Sequence, residues 1–551
     1  MYFINVMKSF AKEHPVLVLT NMAFMSIMPI NEILLPHLYG KLLDAMQNKK
    51  TIIKYLVSVI CILTIVQIGY SLGDWHDTLL NPTFQSYIRQ SMLNKIMEKY
   101  ENNYEDLTVG DIITKLVKAP FILMQWFISL KDYIIPYLLV FISASIYFIT
   151  YDVVLGVSLI VTMIMMGILL ISSPMKCSQE TIELSRVYHE LHEEIDDILR
   201  NLLSVYGGNQ KNFELNRVLE IDKQYKKSFS NTMTCILKYK VMAIPVIVTF
   251  FSIFIIRSNY LIHQNKMKTS NFVSLFMMLL YMVGSLSWTV DIMRNIIFDW
   301  GAIKETERIL ELKDLPTNTL LNSHDSRLQI PFNGIGLYNV SFTYPGSKDP
   351  ILNNFSMYFN PGEKVVLLGD IGSGKSTVLK LLMRFYLPDQ GDIFINGEWY
   401  SNLTTYQIRK QIGYIPQTPV LFNRSVYDNI KYGNVKITND QIDHLFHEYN
   451  IYHEFTNLEN GLETPIGKNG SKLSGGQRQL IWCIRVMLSN PDIILMDEFT
   501  SAMDQKTKDI IIKMLNVMIK GKTVIMVTHD DYLLRIADRR IYIKNGQILS
   551  R

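Results

Sequence analysis

Apolar positions follow two different rhythms along this 551-residue chain. Over the N-terminal half they come in long runs, at 15–38, 52–72, 133–149, 153–172, 241–256 and 272–290. A helix needs about 20 such residues to cross about 30 Å of hydrocarbon, so the runs predict six membrane crossings. Short loops follow the first, third and fifth runs. Long, charged but helix-permissive stretches, 75–131 and 173–240, follow the second and fourth. The third and fourth runs are separated only by Thr150-Tyr151-Asp152, which predicts a tight membrane hairpin. Turn-forming residues at 103–111 and 206–209 predict the tips of two long helical hairpins, expected contact points for a soluble domain. From Ile335 the rhythm changes to short apolar strands, glycine-rich turns and helical runs, the pattern of an α/β domain. The expected division is a six-helix domain over 1–312, a linker over 313–332 that carries Pro316, and an α/β domain over 333–551.

Polar residues inside apolar runs are costly in lipid and mark packing or function. Glu32 is the sharpest, followed by Asn21, Asn31, Gln67 and Asp291. Hydrogen bonds to neighbouring helices and contact with a transported molecule are both open readings. Pro29, Pro136 and Pro245 predict kinks. Composition adds little, since 48% apolar and 19% charged residues average over two unlike halves. A formal charge of +4 is small for this length and excludes a nucleic-acid partner as the leading reading. The four cysteines, Cys61, Cys177, Cys235 and Cys483, show no metal-ligand spacing, and no disulfide framework is read from them. Residues 1–14 lack the apolar core of a cleavable leader.

The chemistry sits in the α/β half. The apolar run 365–368 leads into Gly369-Asp370-Ile371-Gly372-Ser373-Gly374-Lys375-Ser376-Thr377 and then a helical run. Glycines at these positions let backbone N–H groups curl around an anion, at the positive end of the helix that follows. Lys375 supplies a charge for the β- and γ-phosphates, and the Ser376 hydroxyl is placed to hold Mg²⁺. Tyr344, 25 residues ahead of Gly369, is a candidate to stack on adenine. The strand 412–415 leads into Pro416 and Gln417. Leu473-Ser474-Gly475-Gly476-Gln477 opens a second helix with an anion-binding start. The apolar run 493–496 ends in Asp497 and Glu498, a metal-shell carboxylate beside a candidate general base. The run 523–527 delivers Thr528 and His529. ATP is cytosolic, so a nucleotide domain after the sixth crossing places both termini in the cytosol. Lysines and arginines in the short loops, such as Lys41 and Arg257, make the positive-inside rule a weaker guide.

In this order the motifs resemble the ATP-binding cassette (ABC) transporter family, specifically over 340–551 and in layout over 15–310. The resemblance implies that 369–377 is the Walker A loop, Tyr344 the adenine-stacking residue, Gln417 the Q-loop residue and Leu473–Gln477 the signature motif, with Ser474, Gly475, Gly476 and Gln477 on the nucleotide. By the same likeness Asp497 ends Walker B, Glu498 is the catalytic base, Ser501-Ala502-Met503-Asp504 is the D-loop and His529 the switch histidine. It implies ATP and Mg²⁺ as cofactors, with Ser376, Gln417 and Asp497 on the metal. In this family the signature closes over nucleotide held by a second cassette, which implies a homodimer, or a heterodimer with another half-transporter. Six crossings ahead of one cassette resemble the exporter class: an integral membrane protein that moves a solute across the lipid bilayer by alternating access. An ATP-gated channel or regulatory subunit on the same scaffold is the alternative reading, while the six spans disfavour a soluble cassette ATPase. Two departures stand out, Lys468 where exporters commonly carry an acid before the signature, and Phe499 where a small residue or proline usually follows the Walker B glutamate.

Overall fold

The computed structural model describes residues 2–47, 52–102, 109–311, 333–500 and 503–549. They form two compact units: Met1–Glu98 with Thr108–Asp314, and Leu315–Arg551 with the short stretch Lys99–Leu107. The expected linker, 313–332, lies outside the described residues.

The first unit is built of helices. Helix α1 (Tyr2–Glu13) is short and amphipathic. Phe3, Val6 and Phe10 recur at helical spacing and are buried against Leu80, Phe84 and Ile88. It is too short to cross a membrane and does not appear among the six predicted runs. Helix α2 (Pro15–Met25) starts with proline in its first turn, where the missing N–H costs nothing. After Pro29 the helix widens into a π-helical segment at Ile30–Leu34 and continues as α3 (Leu35–Gln47). Helix α4 (Ile53–Lys99) has 47 residues, α7 (Val153–Arg200) 48 and α8 (Lys211–His263) 53. At 1.5 Å per residue these reach about 70–80 Å, more than twice the hydrocarbon thickness. The long polar stretches are therefore the same helices continued past the apolar layer. Helix α5 (Val109–Ile128) passes through a second π-helical segment, Ser129–Ile134, into α6 (Ile135–Tyr151), and α9 (Thr269–Glu311) closes the unit.

Among the described residues, four helical stretches are long and apolar enough to span a membrane: Pro15–Gln47, Ile53–Lys99, Leu116–Tyr151 and Lys211–His263. Shorter apolar stretches at Val153–Leu169 and Thr269–Gly284 occupy the remaining two predicted positions. The tight hairpin at Thr150-Tyr151-Asp152 is present. Asp152 caps α7 by accepting from the N–H groups of Val154 and Leu155, at 3.0 and 3.3 Å, and also pairs with Arg257 at 2.8 Å. Arg257, expected in a loop, is thus part of α8. The second hairpin tip falls where the sequence places it, in a turn after the short helix Leu202–Gly207, with Asn209 at φ 54°. Pro29 and Pro136 each border a π-helical segment, while Pro245 lies within α8. Gln67 is exposed, Glu32 accepts from its neighbour Asn31, and Asn21 is buried.

One expectation is overturned. Cys177 on α7 and Cys235 on α8 form a disulfide, S–S 2.00 Å, with Cα atoms 6.0 Å apart. They lie 58 residues apart in sequence, and only the antiparallel packing of two long helices brings them together. Cys61 and Cys483 are free, and burial pushes the Cys483 thiol up to about 12.

The second unit is an α/β domain. Strands β1 (Ile335–Phe342), β2 (Leu352–Phe359), β4 (Gln390–Ile395) and β5 (Glu398–Trp399) form an antiparallel sheet in the order β2-β1-β4-β5. A six-stranded sheet has the order β10-β9-β3-β8-β7-β6, from β3 (Lys364–Leu368), β6 (Ile412–Ile415), β7 (Ile493–Asp497), β8 (Thr523–Val527), β9 (Arg539–Lys544) and β10 (Gln547–Leu549). Its pairs are parallel except β10 with β9. Strands β7 and β8 are buried along their whole length, which explains their unbroken apolar runs. Val366, Ile494, Met496, Val524 and Met526 face one core, with helices α11 (Gly475–Ser489) and α12 (Gln505–Met518). Val365, Leu367, Leu495, Ile525 and Val527 face the other, with α10 (Lys375–Leu382) and the antiparallel sheet. Alternation along each strand divides these sets.

Ile525 is fully buried on the inner strand β8. Its replacement by alanine is expected to destabilise the α/β unit by about 2–5 kcal/mol, read as a lower urea midpoint for that unit in the full chain.

Candidate functional site

The site is assembled at strand ends. After β3 the chain turns at Gly369, φ 146°, where a Cβ would stand 2.1 Å from the carbonyl oxygen of Ile543. Only glycine fits there. Gly374, φ 103°, caps α10 at the other end of the loop. Between them the chain wraps around the Lys375 amine, which donates to the carbonyls of Gly369 at 2.9 Å and Asp370 at 2.8 Å. Gly372 is left-handed, Ile371 is fully exposed, and the buried Ser373 hydroxyl has no hydrogen-bond partner among the described residues. The Thr377 hydroxyl lies 3.0 Å from the Tyr344 phenol. Phe342 and Tyr386 pack edge-on to the Tyr344 ring, at 5.0 and 5.3 Å between centroids.

Strand β7 brings its two carboxylates to the same place. The Ser376 hydroxyl donates to Asp497 Oδ1 at 3.0 Å. Burial holds the Asp497 carboxyl above its ordinary range, and the Ser376 hydrogen bond pulls it back. Glu498 has φ 38°, a left-handed conformation that is strained for this residue type. Its N–H donates to the Val527 carbonyl at 2.8 Å, so the end of β8 helps to hold it. Gln417 Nε2 donates to Glu498 Oε2 at 2.8 Å, and His529 Nε2 is 4.0 Å from Glu498 Oε1. Lys375, Ser376, Gln417, Asp497, Glu498 and His529 thus form one connected group drawn from four strand ends.

Ser474, Gly475, Gly476 and Gln477 do not join it. Ser474 caps α11, with a reciprocal bond in which Gln477 Oε1 accepts from the Ser474 N–H at 2.7 Å. Gln477 Nε2 donates to the Glu454 carbonyl. Gly476 lies against Thr507, where a Cβ would be 3.1 Å from Cγ2. Asp504 caps α12, and hydrogen bonds from the Thr507 backbone and hydroxyl hold its carboxyl below the usual range. Ser501 and Ala502 lie outside the described residues.

A family profile described as ABC transporter matches residues 352–501. "ABC transporter B family member 3" of Dictyostelium discoideum is 40% identical over 214 residues, covering 39% of this chain and 15% of that protein. The "ATP-dependent lipid A-core flippase" of Saccharophagus degradans is 28% identical over 514 residues, covering 90% of this chain and 83% of the relative. Residues 352–501 thus form a domain of the ABC transporter family. The chain spans only 15–23% of the length of the first curated relatives it matches. Its fold is that of a solved structure described as "Structure of a bacterial Atm1-family ABC exporter with ATP bound", with TM-score 0.81 and 20% identity over 99% of this chain and 95% of that one.

Within this ABC cassette, sequence reasoning passed over several supporting residues. Gln479 Nε2 donates to the Pro416 carbonyl at 2.9 Å, and Trp482 Nε1 donates to the Tyr414 carbonyl at 2.7 Å. These two residues, three apart on α11, pin the segment that carries Gln417. Their spacing was the available signal. Asp530, beside His529, caps the helix Asp531–Ile536 and pairs with Lys508. Arg409 donates to the Glu101 carbonyl at 2.7 Å. The tip of the first hairpin was expected at 103–111, of which 103–108 lie outside the described residues. Phe499 is buried in the core, which accounts for a large apolar residue there, and Lys468 is exposed.

Alanine at Gly369 is expected to displace the strand end at Ile543 and to weaken nucleotide binding by about tenfold or more, measured by equilibrium binding of a fluorescent ATP analogue. Alanine at Gly521, an open turn position, is the control for a nonspecific glycine effect.

Proposed function

We propose that the chain is one half of an ATP-driven exporter, with membrane domain 1–312, linker 313–332 and cassette 333–551. Two copies, or this chain and another half-transporter, close their cassettes on ATP, and hydrolysis reopens them. The carrying observation is the connected group at the strand ends, which joins an anion cradle to a carboxylate pair.

The cradle fits a phosphate chain. Among the described residues, the Lys375 amine is held by two carbonyls and the Ser373 hydroxyl has no partner, and glycine occupies the position that a Cβ would block. Residues 369–377 hold the phosphates in this reading, and Tyr344 takes the adenine. The donor set also fits Mg²⁺, because Ser376 and Asp497 present hard oxygens together and Gln417 lies beside Glu498. Bound there, Mg²⁺ supplies charge neutralisation for the phosphates. Glu498 accepts a proton from the attacking water, and Gln417 and His529 orient its carboxylate. Ser474–Gln477, which stands apart from this group, serves the nucleotide of a second cassette. ATP binding drives the cycle only by favouring the closed pair over the open one.

The topology follows from the same reading: an integral membrane protein with both termini and the cassette in the cytosol. The flippase relative, most of whose length is matched, is named for moving a lipid, which supports an amphiphilic cargo.

Replacing Glu498 with glutamine is expected to lower ATP turnover by about 100-fold or more while ATP still binds. Lys375→Ala is expected to weaken binding itself. Substantial hydrolysis by E498Q, or full-rate hydrolysis by a strict monomer in analytical ultracentrifugation, would overturn the proposal.

A further inference from the structure

A polar cavity of about 300 Å³ opens in the helical unit between α2, α4 and the π-helical turn that leads into α6. Its charged lining is Asp74, Asp77, Lys131 and Asp132. Lys131 is only 2% exposed and donates to Asp77 at 2.5 Å and Asp132 at 2.6 Å. One ammonium therefore meets two carboxyl groups in a cavity lined by three, and Asp74 forms no salt bridge among the described residues. Asn21 is 8% exposed and lines the same space, and its side-chain amide has no hydrogen-bond partner among the described residues. Asp77 Oδ1 is buried without a hydrogen-bond partner among the described residues, which is costly unless something in the cavity pairs with it. The remaining wall is aromatic and apolar, with Phe24, Tyr70 and Tyr133 beside Met25 and Met28.

Height in the membrane narrows the ligand. Asp77 lies about 36 Å along α4 from Ile53, past the roughly 30 Å hydrocarbon layer, and Lys131 directly precedes the predicted crossing at 133. The cavity thus sits at the boundary between hydrocarbon and water, where head groups lie. Excess carboxylate, an unpaired amide acceptor and aromatic faces together recognise an organic cation. An apolar rim suits the chain attached to it.

We infer that this cavity binds the ammonium group of an amphiphile at the cytosolic face of the membrane. The inference rests on the exporter reading for its side of the membrane and not on hydrolysis, so binding is measured without nucleotide.

The probe is radiolabelled octyltrimethylammonium, with octyl sulfate of the same chain length as control, on the full chain in phosphatidylcholine discs. The ammonium probe is expected to bind saturably and octyl sulfate is not. Asn21→Leu and Asp74→Asn are each expected to weaken binding by about fivefold or more. E498Q is expected to bind the probe as the unmodified chain does, which separates failure of this site from failure of the ATPase reading. Competition by phosphatidylethanolamine in the discs identifies a lipid head group as the source. Its absence identifies a free cationic amphiphile. Equal binding of octyl sulfate, or unchanged affinity in both Asn21→Leu and Asp74→Asn, would overturn the inference.

Discussion

The hydrogen bond from the Ser376 hydroxyl to Asp497 ties the cassette together. Asp497 ends a strand buried along its whole length and is itself only 6% exposed, so its carboxylate needs partners. Those partners come from the other side of β8, where β3 ends in the glycine loop and α10 begins. The serine reaches the carboxylate only if the chain turns at Gly369 and enters α10 at Gly374, two positions whose backbone or surroundings exclude a side chain. Sheet order, glycine placement and the carboxylate pair are therefore one constraint viewed at three scales.

The helical unit meets the same constraint with a different solution. Lys131 is more deeply buried than Asp497 and is held by two carboxylates, one on α4 and one on its own π-helical segment. A wider π turn re-aims side chains that would point elsewhere in a regular α-helix, and such turns recur at functional sites. Asp152 and Arg257 perform the analogous task at the other end of α7 and α8. Lys131 with Asp77 and Arg257 with Asp152 each join helices distant in sequence and fix a register that apolar contacts alone would leave free to slide.

The cassette was legible in the sequence because its chemistry is local. A strand, a glycine turn and a helix start fit within a dozen residues, and the fully apolar runs at 493–496 and 523–527 could only be strands buried on both faces. The helical runs were legible for a similar reason, since apolar length is a property of a single segment. Contacts that join distant segments were not. Cys177 meets Cys235 only through helix packing, and Lys131 meets Asp77 across 54 residues. The helix Tyr2–Glu13 was hidden differently: three buried residues in a dozen are too few to register in a search for membrane-length runs. The π-helical segments left a trace in Pro29 and Pro136, which announce a disturbance without specifying its form.

Glu498 has a further consequence. At φ 38° an L-residue with a long side chain carries steric strain that glycine, and to a lesser extent asparagine, would relieve. The fold would therefore gain thermal resistance from glycine at the position where the proposed chemistry requires a carboxylate. Laboratory selection for heat tolerance alone would drift toward inert protein at this site, and the glutamate persists only where turnover itself is under selection.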